Sequence, residues 1–370
     1  MKIMSIFGTR PEAIKMCPLI KEFQNHPEIE SCVCLTGQHR ELLDSVMDIF
    51  NIKPNYNLDI MRENQSLFTI NIDIMSKLEP ILVKENPDIV LVHGDTTTSF
   101  VSALSAFYQK IPVGHIEAGL RTYNKYSPYP EEMNRSLIGK IADIHFTPTI
   151  KNKENLLKEN ITENVFVTGN TIIDSFKYTL KDNYVFNCSK LNDIDYSKFK
   201  VILVTAHRRE NIGQSLTNIC NAIKQIVSSF PDVLVVFPVH PNPAIRKIVF
   251  PILSDIKRVL LIDPIDVSDM HNLIYRSYFV MTDSGGLQEE APSCSVPVLV
   301  MRKETERSEG INSGTLKLVG VETDDIFNDA KLLLTDENEY YNMTQSINPY
   351  GNGLASKYIT KILIDWYNKK

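Results

Sequence analysis

Carboxylic acids and histidines stand directly behind short apolar runs, where a strand would deliver a side chain to solvent. Asp95 lies in His93-Gly94-Asp95-Thr96-Thr97-Thr98, and Glu117 in Gly114-His115-Ile116-Glu117-Ala118-Gly119-Leu120-Arg121. Acids behind consecutive strands project from one sheet edge into one cleft, where they could take and return protons. Glu131 opens a helix-like stretch in Tyr129-Pro130-Glu131-Glu132-Met133-Asn134-Arg135. It reads equally as an acid stabilised by the helix dipole, worth roughly 0.3–1 kcal/mol. His207, followed by Arg208-Arg209, ends one apolar run, and His240 ends the next. A single histidine there is usually structural; two at equivalent strand ends favour a functional reading.

Two glycine turns could meet a phosphate. In Gly8-Thr9-Arg10-Pro11-Glu12-Ala13-Ile14-Lys15, Gly8 permits a tight turn and Pro11 suits a first helical turn. The free N–H groups of that helix start, with Arg10 and Lys15, resemble an anion cradle, though a capped helix with solvated charges fits as well. Thr282-Asp283-Ser284-Gly285-Gly286-Leu287-Gln288-Glu289-Glu290 repeats the pattern. Ser284 with the Gly285 and Gly286 amides suits a diphosphate, and Glu290 could accept both hydroxyls of a ribose. An ordinary N-capped helix is the alternative.

These residues need a frame. Short β-rich runs at 32–36, 89–93, 113–116 and 143–146, then 201–205, 233–238, 259–262 and 279–282, alternate with helix-length segments. That spacing predicts βαβ units, hence an α/β chain with two Rossmann-like domains facing each other across a cleft. We place them at 1–169 and 170–352, with helix-like 171–180 able to pack on the second sheet, and a closing helix in 353–370.

Bulk properties exclude other classes. The 370 residues carry a net charge of −6 and no long basic run, so neither nucleic acid nor an anionic membrane is an expected partner. The six cysteines show no metal-ligand spacing and suit a reducing cytoplasm; neither a metal nor a cofactor is expected. The first residues read as a strand rather than a signal peptide, and no window is long enough to span a membrane. Asp193-Ile194-Asp195 lies in a polar connector, and Gly351-Asn352-Gly353 follows no strand, so neither reads as a ligand motif.

Taken together, the blocks Gly8–Lys15, His93–Thr98, Gly114–Arg121, Ser127–Arg135, Thr205–Asn211, Thr282–Pro292 and Asn348–Gly351 resemble the non-hydrolysing UDP-N-acetylglucosamine 2-epimerases. The resemblance covers nearly the whole chain, in family order. It implies a GT-B-like fold whose C-terminal helix crosses back to the first domain, a homodimer, and a UDP-sugar substrate feeding surface-polysaccharide synthesis. It implies catalytic roles for Asp95, Glu117, Glu131 and His207. Substrate contacts are implied for Arg10, Lys15, Arg135, His240, Ser284, Gly285, Gly286 and Glu290.

The chemistry explains the residue types. The C-2 proton has no adjacent carbonyl, so UDP must leave C-1 first, building oxocarbenium character that acidifies it. Arg10, Lys15, His207 and the helix start at Gly286 could stabilise the leaving diphosphate. Protons must be handled on both ring faces, which needs at least two carboxyl groups. A GT-B glycosyltransferase would have no use for these acids, and a non-catalytic UDP-sugar sensor would tolerate their loss.

The chain also departs from the family pattern. Regulated members follow Gln-His-Arg with Gln and place Arg before a later Gln-Ser/Thr-Leu. Here Gln38-His39-Arg40 precedes Glu41, and Asn64 precedes Gln65. Gln38 and His39 are thus candidate regulatory residues at a site expected to work weakly. Ser308 also stands where many members have Pro in the segment 302–309, and Met270 where some have a uracil-stacking Phe.

Overall fold

Val- and Ile-rich runs that are apolar on both faces can be buried only as central parallel strands covered by helices. The computed structural model, which describes residues 1–37, 40–62 and 65–369 (backbone alone at 40–42), has that arrangement twice. The chain folds as two compact units, Met1–Tyr178 with Tyr350–Lys370, and Thr179–Pro349.

In the first unit, β1 (Lys2–Phe7), α1 (Arg10–Phe23), β2 (Glu30–Leu35), α2 (Arg40–Ile49), β3 (Tyr56–Asn57), α3 (Leu67–Glu85) and β4 (Ile89–His93) build half of a sheet. It continues through α4 (Thr97–Tyr108), β5 (Val113–Ile116), α5 (Glu131–Ile141), β6 (Ile144–Thr147), α6 (Ile150–Lys158), β7 (Val165–Val167) and α7 (Thr171–Thr179). All strands are parallel in the order β3-β2-β1-β4-β5-β6-β7. The order reverses between β1 and β4, and a crevice opens at the carboxyl ends there.

The second unit follows the same plan. After α8 (Ser189–Asn192) come β8 (Lys200–Thr205), α9 (Gln214–Ser229), β9 (Val233–Pro238), α10 (Pro243–Leu253), β10 (Val259–Ile262) and α11 (Val267–Tyr275). Then come β11 (Phe279–Thr282), α12 (Gly285–Glu290), β12 (Val298–Val300), α13 (Ser308–Ser313), β13 (Leu316–Leu318), α14 (Thr323–Thr335) and α15 (Glu337–Gln345). Its parallel order is β10-β9-β8-β11-β12-β13, so the reversal lies between β8 and β11.

The expectation that 171–180 might join the second sheet is corrected. Ile172 and Ile173 of α7 pack with Ile14 and Tyr350, and Asp174 accepts from the Ala355 and Ser356 N–H groups at 3.1 and 2.5 Å. Helix α16 (Ala355–Tyr367) thus lies in the first unit, where it packs on α1. Outgoing and returning chain are tied by Asn170 N donating to Tyr350 O at 2.7 Å, beside Gly169 and Gly351, both at positive φ. A Cβ on Gly169 would stand 3.2 Å from the Gly351 Cα, so the close approach needs glycine.

Candidate active site

The first crevice is organised by a carboxylate that sequence reasoning passed over. Glu12, in the first turn of α1, is 2 % exposed. One oxygen accepts from Gly8 N at 3.0 Å and Thr9 N at 2.8 Å, the return half of a capping box. The other accepts from Thr96 Oγ at 2.7 Å and lies 2.9 Å from Ser99 Oγ. The turn after β1 is thereby bonded to the loop after β4.

At the mouth of this crevice stand the acids. Glu117, just beyond β5, sits at φ +61°, a left-handed conformation costly for a long side chain. Its carboxylate pairs with the Lys15 ammonium and lies 2.8 Å from His93 Nε2. Burial alone would raise its pKa; Lys15 and His93 outweigh burial and hold it well below the usual carboxylate range. Asp95 is pushed the other way. Burial raises its pKa, with a further upward push from Glu117 and Glu131, against the lowering effect of Arg135 and Lys15. Arg135 Nη2 lies 2.9 Å from Asp95 Oδ2 and Nη1 3.6 Å from Glu132. Neighbouring carboxyls whose surroundings push their protonation apart are the pattern of an acid–base pair.

Lys15 and Arg135, expected as substrate contacts, are thus found as charge partners of Glu117 and Asp95. Glu131 is the first residue of α5 and close enough to raise the Asp95 pKa. The adjacent Glu132 is instead committed to structure, accepting from the Thr122 and Tyr123 N–H groups. Arg10 opens α1, at the rim of the same turn.

In the second unit the corresponding carboxylate is Asp283, fully buried behind β11. It accepts from His207 N at 2.9 Å, Arg208 N at 2.8 Å and Asn211 Nδ2 at 3.0 Å, fixing the loop after β8. His207 Nδ1 lies 3.5 Å from Asp283, and its ring stacks on His240 with centroids 5.9 Å apart. Burial lowers the His207 pKa, helped by Arg208 and His240 and opposed by Asp283, so a neutral imidazole is presented near pH 7. His240 Nδ1 accepts from Asn242 N at 3.1 Å, which leaves the proton on Nε2.

Ser284 precedes Gly285 and Gly286 at the start of α12. A Cβ on Gly285 would lie 2.9 Å from the Arg307 Cζ, and one on Gly286 3.0 Å from Glu290 Oε1. The glycines let a guanidinium and a carboxylate close over the turn. Arg307 is held by Glu289 at 2.9 Å and Glu306 at 2.5 Å. Glu306 also pairs with Arg302 at 2.8 Å; against burial, the two arginines bring its pKa down to about 2. The segment departing from the family pattern is therefore anchored by charge, and Thr305 Oγ donates to Gln288 at 2.7 Å. Glu290 lies 3.5 Å from His271 Nε2, whose Nδ1 is 2.8 Å from Thr179 Oγ.

Gln38, His39 and Asn64 lie outside the described residues, as does the Glu41 side chain. Among the described residues no cluster of His, Cys, Asp and Glu is arranged to hold a metal ion, and no helix is long and apolar enough to cross a membrane. Sequence reasoning missed Glu12, His93 and Asp283 as site residues. The Thr9-x-x-Glu12 spacing is a capping-box signal that could have found the first; nothing local marks the others.

The family model for UDP-N-acetylglucosamine 2-epimerase matches residues 21–364. A Bacillus subtilis UDP-N-acetylglucosamine 2-epimerase is 52% identical over 368 residues, 99% of this chain and 96% of that one. One from Escherichia coli K12 is 48% identical, with 98% of each chain covered. A solved structure of the Neisseria meningitidis enzyme bound to UDP-GlcNAc is similar with a TM-score of 0.89 and 48% identity, covering 99% of this chain and 100% of that one. The chain belongs to the UDP-N-acetylglucosamine 2-epimerase family.

Proposed function

We propose that the protein interconverts UDP-N-acetylglucosamine and UDP-N-acetylmannosamine by eliminating and re-adding UDP. The observation that carries this reading is the pairing of unlike carboxyls behind β4 and β5. Glu117 is held ionised by Lys15 and His93, while Asp95 is pushed toward its protonated form. In the elimination, the C-1–O bond breaks with its electron pair going to the UDP β-phosphate. The C-2 proton passes to a carboxylate, and a C-1=C-2 double bond forms in 2-acetamidoglucal. A second acid then protonates C-2 from the opposite face as UDP returns to C-1. We assign the resting base to Glu117 and the resting acid to Asp95, with Glu131 beside them. Ser284, Gly285, Gly286, Glu290, His207 and His240 bind the nucleotide and its diphosphate.

Isotopes test the route. In deuterium oxide each inversion should place solvent deuterium at C-2. Oxygen-18 in the C-1–O–P bridge should scramble into non-bridging phosphate positions at a rate tied to epimerisation. Inversion with the bridge label fully retained would refute elimination. We further read the enzyme as a cytoplasmic homodimer supplying surface-polysaccharide precursors. Free thiols at Cys17, Cys32, Cys34, Cys188, Cys220 and Cys294 support the compartment, and exposed Phe68 and Ile72, one turn apart on α3, support the dimer. Light scattering at micromolar concentration reads the dimer directly.

A further inference from the structure

Asp95 sits on a loop, and a loop acid can serve proton transfer only if its backbone is held still. The segment 93–96 is bonded from three separate elements by side chains that are all buried. Glu12 of α1 bonds Thr96 Oγ at 2.7 Å and meets Ser99 Oγ at 2.9 Å, and that hydroxyl lies 2.5 Å from the His93 carbonyl. His115 of β5 places Nε2 2.7 Å from the Gly94 carbonyl. Asn134 of α5 donates from Nδ2 to the Asp95 carbonyl at 2.9 Å. Gly94 itself sits at φ +62°, a conformation the loop must be held in.

The residue types are costly ones for these positions. Glu12 is 2 %, His115 0 % and Asn134 7 % exposed. An aliphatic side chain would fill such space without any need for partners. Burial takes the His115 pKa down to about 3, so the ring stays neutral and the nitrogen facing the Gly94 carbonyl carries the hydrogen. Its Nδ1 is buried and without a hydrogen-bond partner among the described residues, as expected for a histidine kept for its other nitrogen.

We propose that Glu12, His115 and Asn134 are positioning residues that clamp the chain from His93 to Thr96 and so aim the Asp95 carboxylate at the reacting carbon. The inference rests on the acid role assigned to Asp95 above. Glu12 adds a coupling: its second oxygen holds the Gly8 and Thr9 amides. The turn that carries Arg10 and the loop that carries Asp95 therefore share one carboxylate.

A double-mutant cycle on epimerase turnover tests the clamp, with melting temperature and UDP affinity measured alongside. Glu12→Ala should lower kcat about 100-fold, the scale of an ångström-sized misplacement, with KM and UDP affinity moved less than about threefold. Glu12→Gln keeps an oxygen for the amides and offers its NH₂ to hydroxyls that can turn to accept, so it should recover about tenfold of that loss. Asn134→Ala removes a single bond to the Asp95 carbonyl and should cost about tenfold in kcat, which keeps the test open if Glu12→Ala does not fold. The decisive reading is non-additivity. In an Asp95→Asn background, Glu12→Gln and Asn134→Ala should each change residual turnover less than about threefold, because there is no aimed acid left to misplace. Full multiplication of the losses would show that these residues stabilise the unit generally and would overturn the clamp, as would wild-type kcat in Asn134→Ala. Near-normal turnover in Asp95→Asn alone would overturn the acid role, and the clamp's purpose with it.

Discussion

Each sheet reverses its strand order at one point, and each reversal is closed by a buried carboxylate, but the carboxylates run in opposite directions. In the first unit Glu12 leaves the β1 side and bonds the loop after β4. In the second, Asp283 leaves the β11 side and bonds the loop after β8. A pair of threonine hydroxyls bridges each crevice as well, Thr36 with Thr98 at 3.0 Å and Thr205 with Thr282 at 2.6 Å. The difference lies in what the mouths display. The first presents acids beside cations, Glu117 by Lys15 and Asp95 by Arg135. The second presents a neutral imidazole, a serine and glycine amides. On the function proposed above, a common frame would carry proton transfer in one unit and nucleotide capture in the other: at the first mouth Lys15 and Arg135 stand against the acids behind β5 and β4, whereas in the second unit Arg302 and Arg307, with Glu289 and Glu306, tie down the segment after β12.

If that division is right, the variants should separate. Glu117→Gln should lower turnover by about 1,000-fold, within the range for loss of a general base, while calorimetry finds UDP affinity changed less than about threefold. A parallel loss of UDP binding would collapse the distinction. Ser284→Ala should do the reverse, weakening UDP about tenfold, equal to about 1.4 kcal/mol, while kcat at saturation stays within about threefold. Asp283→Asn asks whether the second crevice depends on its carboxylate as the first does. With backbone N–H groups left short of an acceptor, it should lose about 1–3 kcal/mol of stability, read as a lower denaturant midpoint.

The smallest effect concerns pH. Because the Glu306 pKa is depressed in the folded protein, its pairing contributes stability above the ordinary value of 4.5, and that stability is lost as pH falls toward about 2. The melting-temperature gap between wild type and Glu306→Gln should therefore hold at a few degrees from pH 7 to about 5 and narrow below it. A gap that widened with acid would reverse the assignment.

Much of the frame was legible because long buried strands and amphipathic helices repeat at different periods. The expected runs at 32–36 and 143–146 were displaced by a residue or two, to Glu30–Leu35 and Ile144–Thr147. Strands β3, β7, β12 and β13 were not foreseen, since two or three residues carry no periodicity. Asp95, Glu117 and His207 were legible because they follow apolar runs directly. Which cation meets which acid was not, because Lys15 and Glu117 are 102 residues apart and only the parallel register brings them together. Asp283 was hidden for another reason: it holds the backbone amides of His207 and Arg208, which leave no trace in side-chain identity.

Helix α16 has a consequence for the order in which the protein can be made. Residues Met1–Tyr178 leave the ribosome first, yet the unit they form also needs Tyr350–Lys370. Until those residues emerge, Asp174 lacks the Ala355 and Ser356 amides that satisfy it, and Ile14, Ile172 and Ile173 lack the Tyr350 ring. The uninterrupted Thr179–Pro349 has every residue it needs earlier. The half synthesised second can therefore finish folding first, and the acid-bearing half is completed only once α16 has been made.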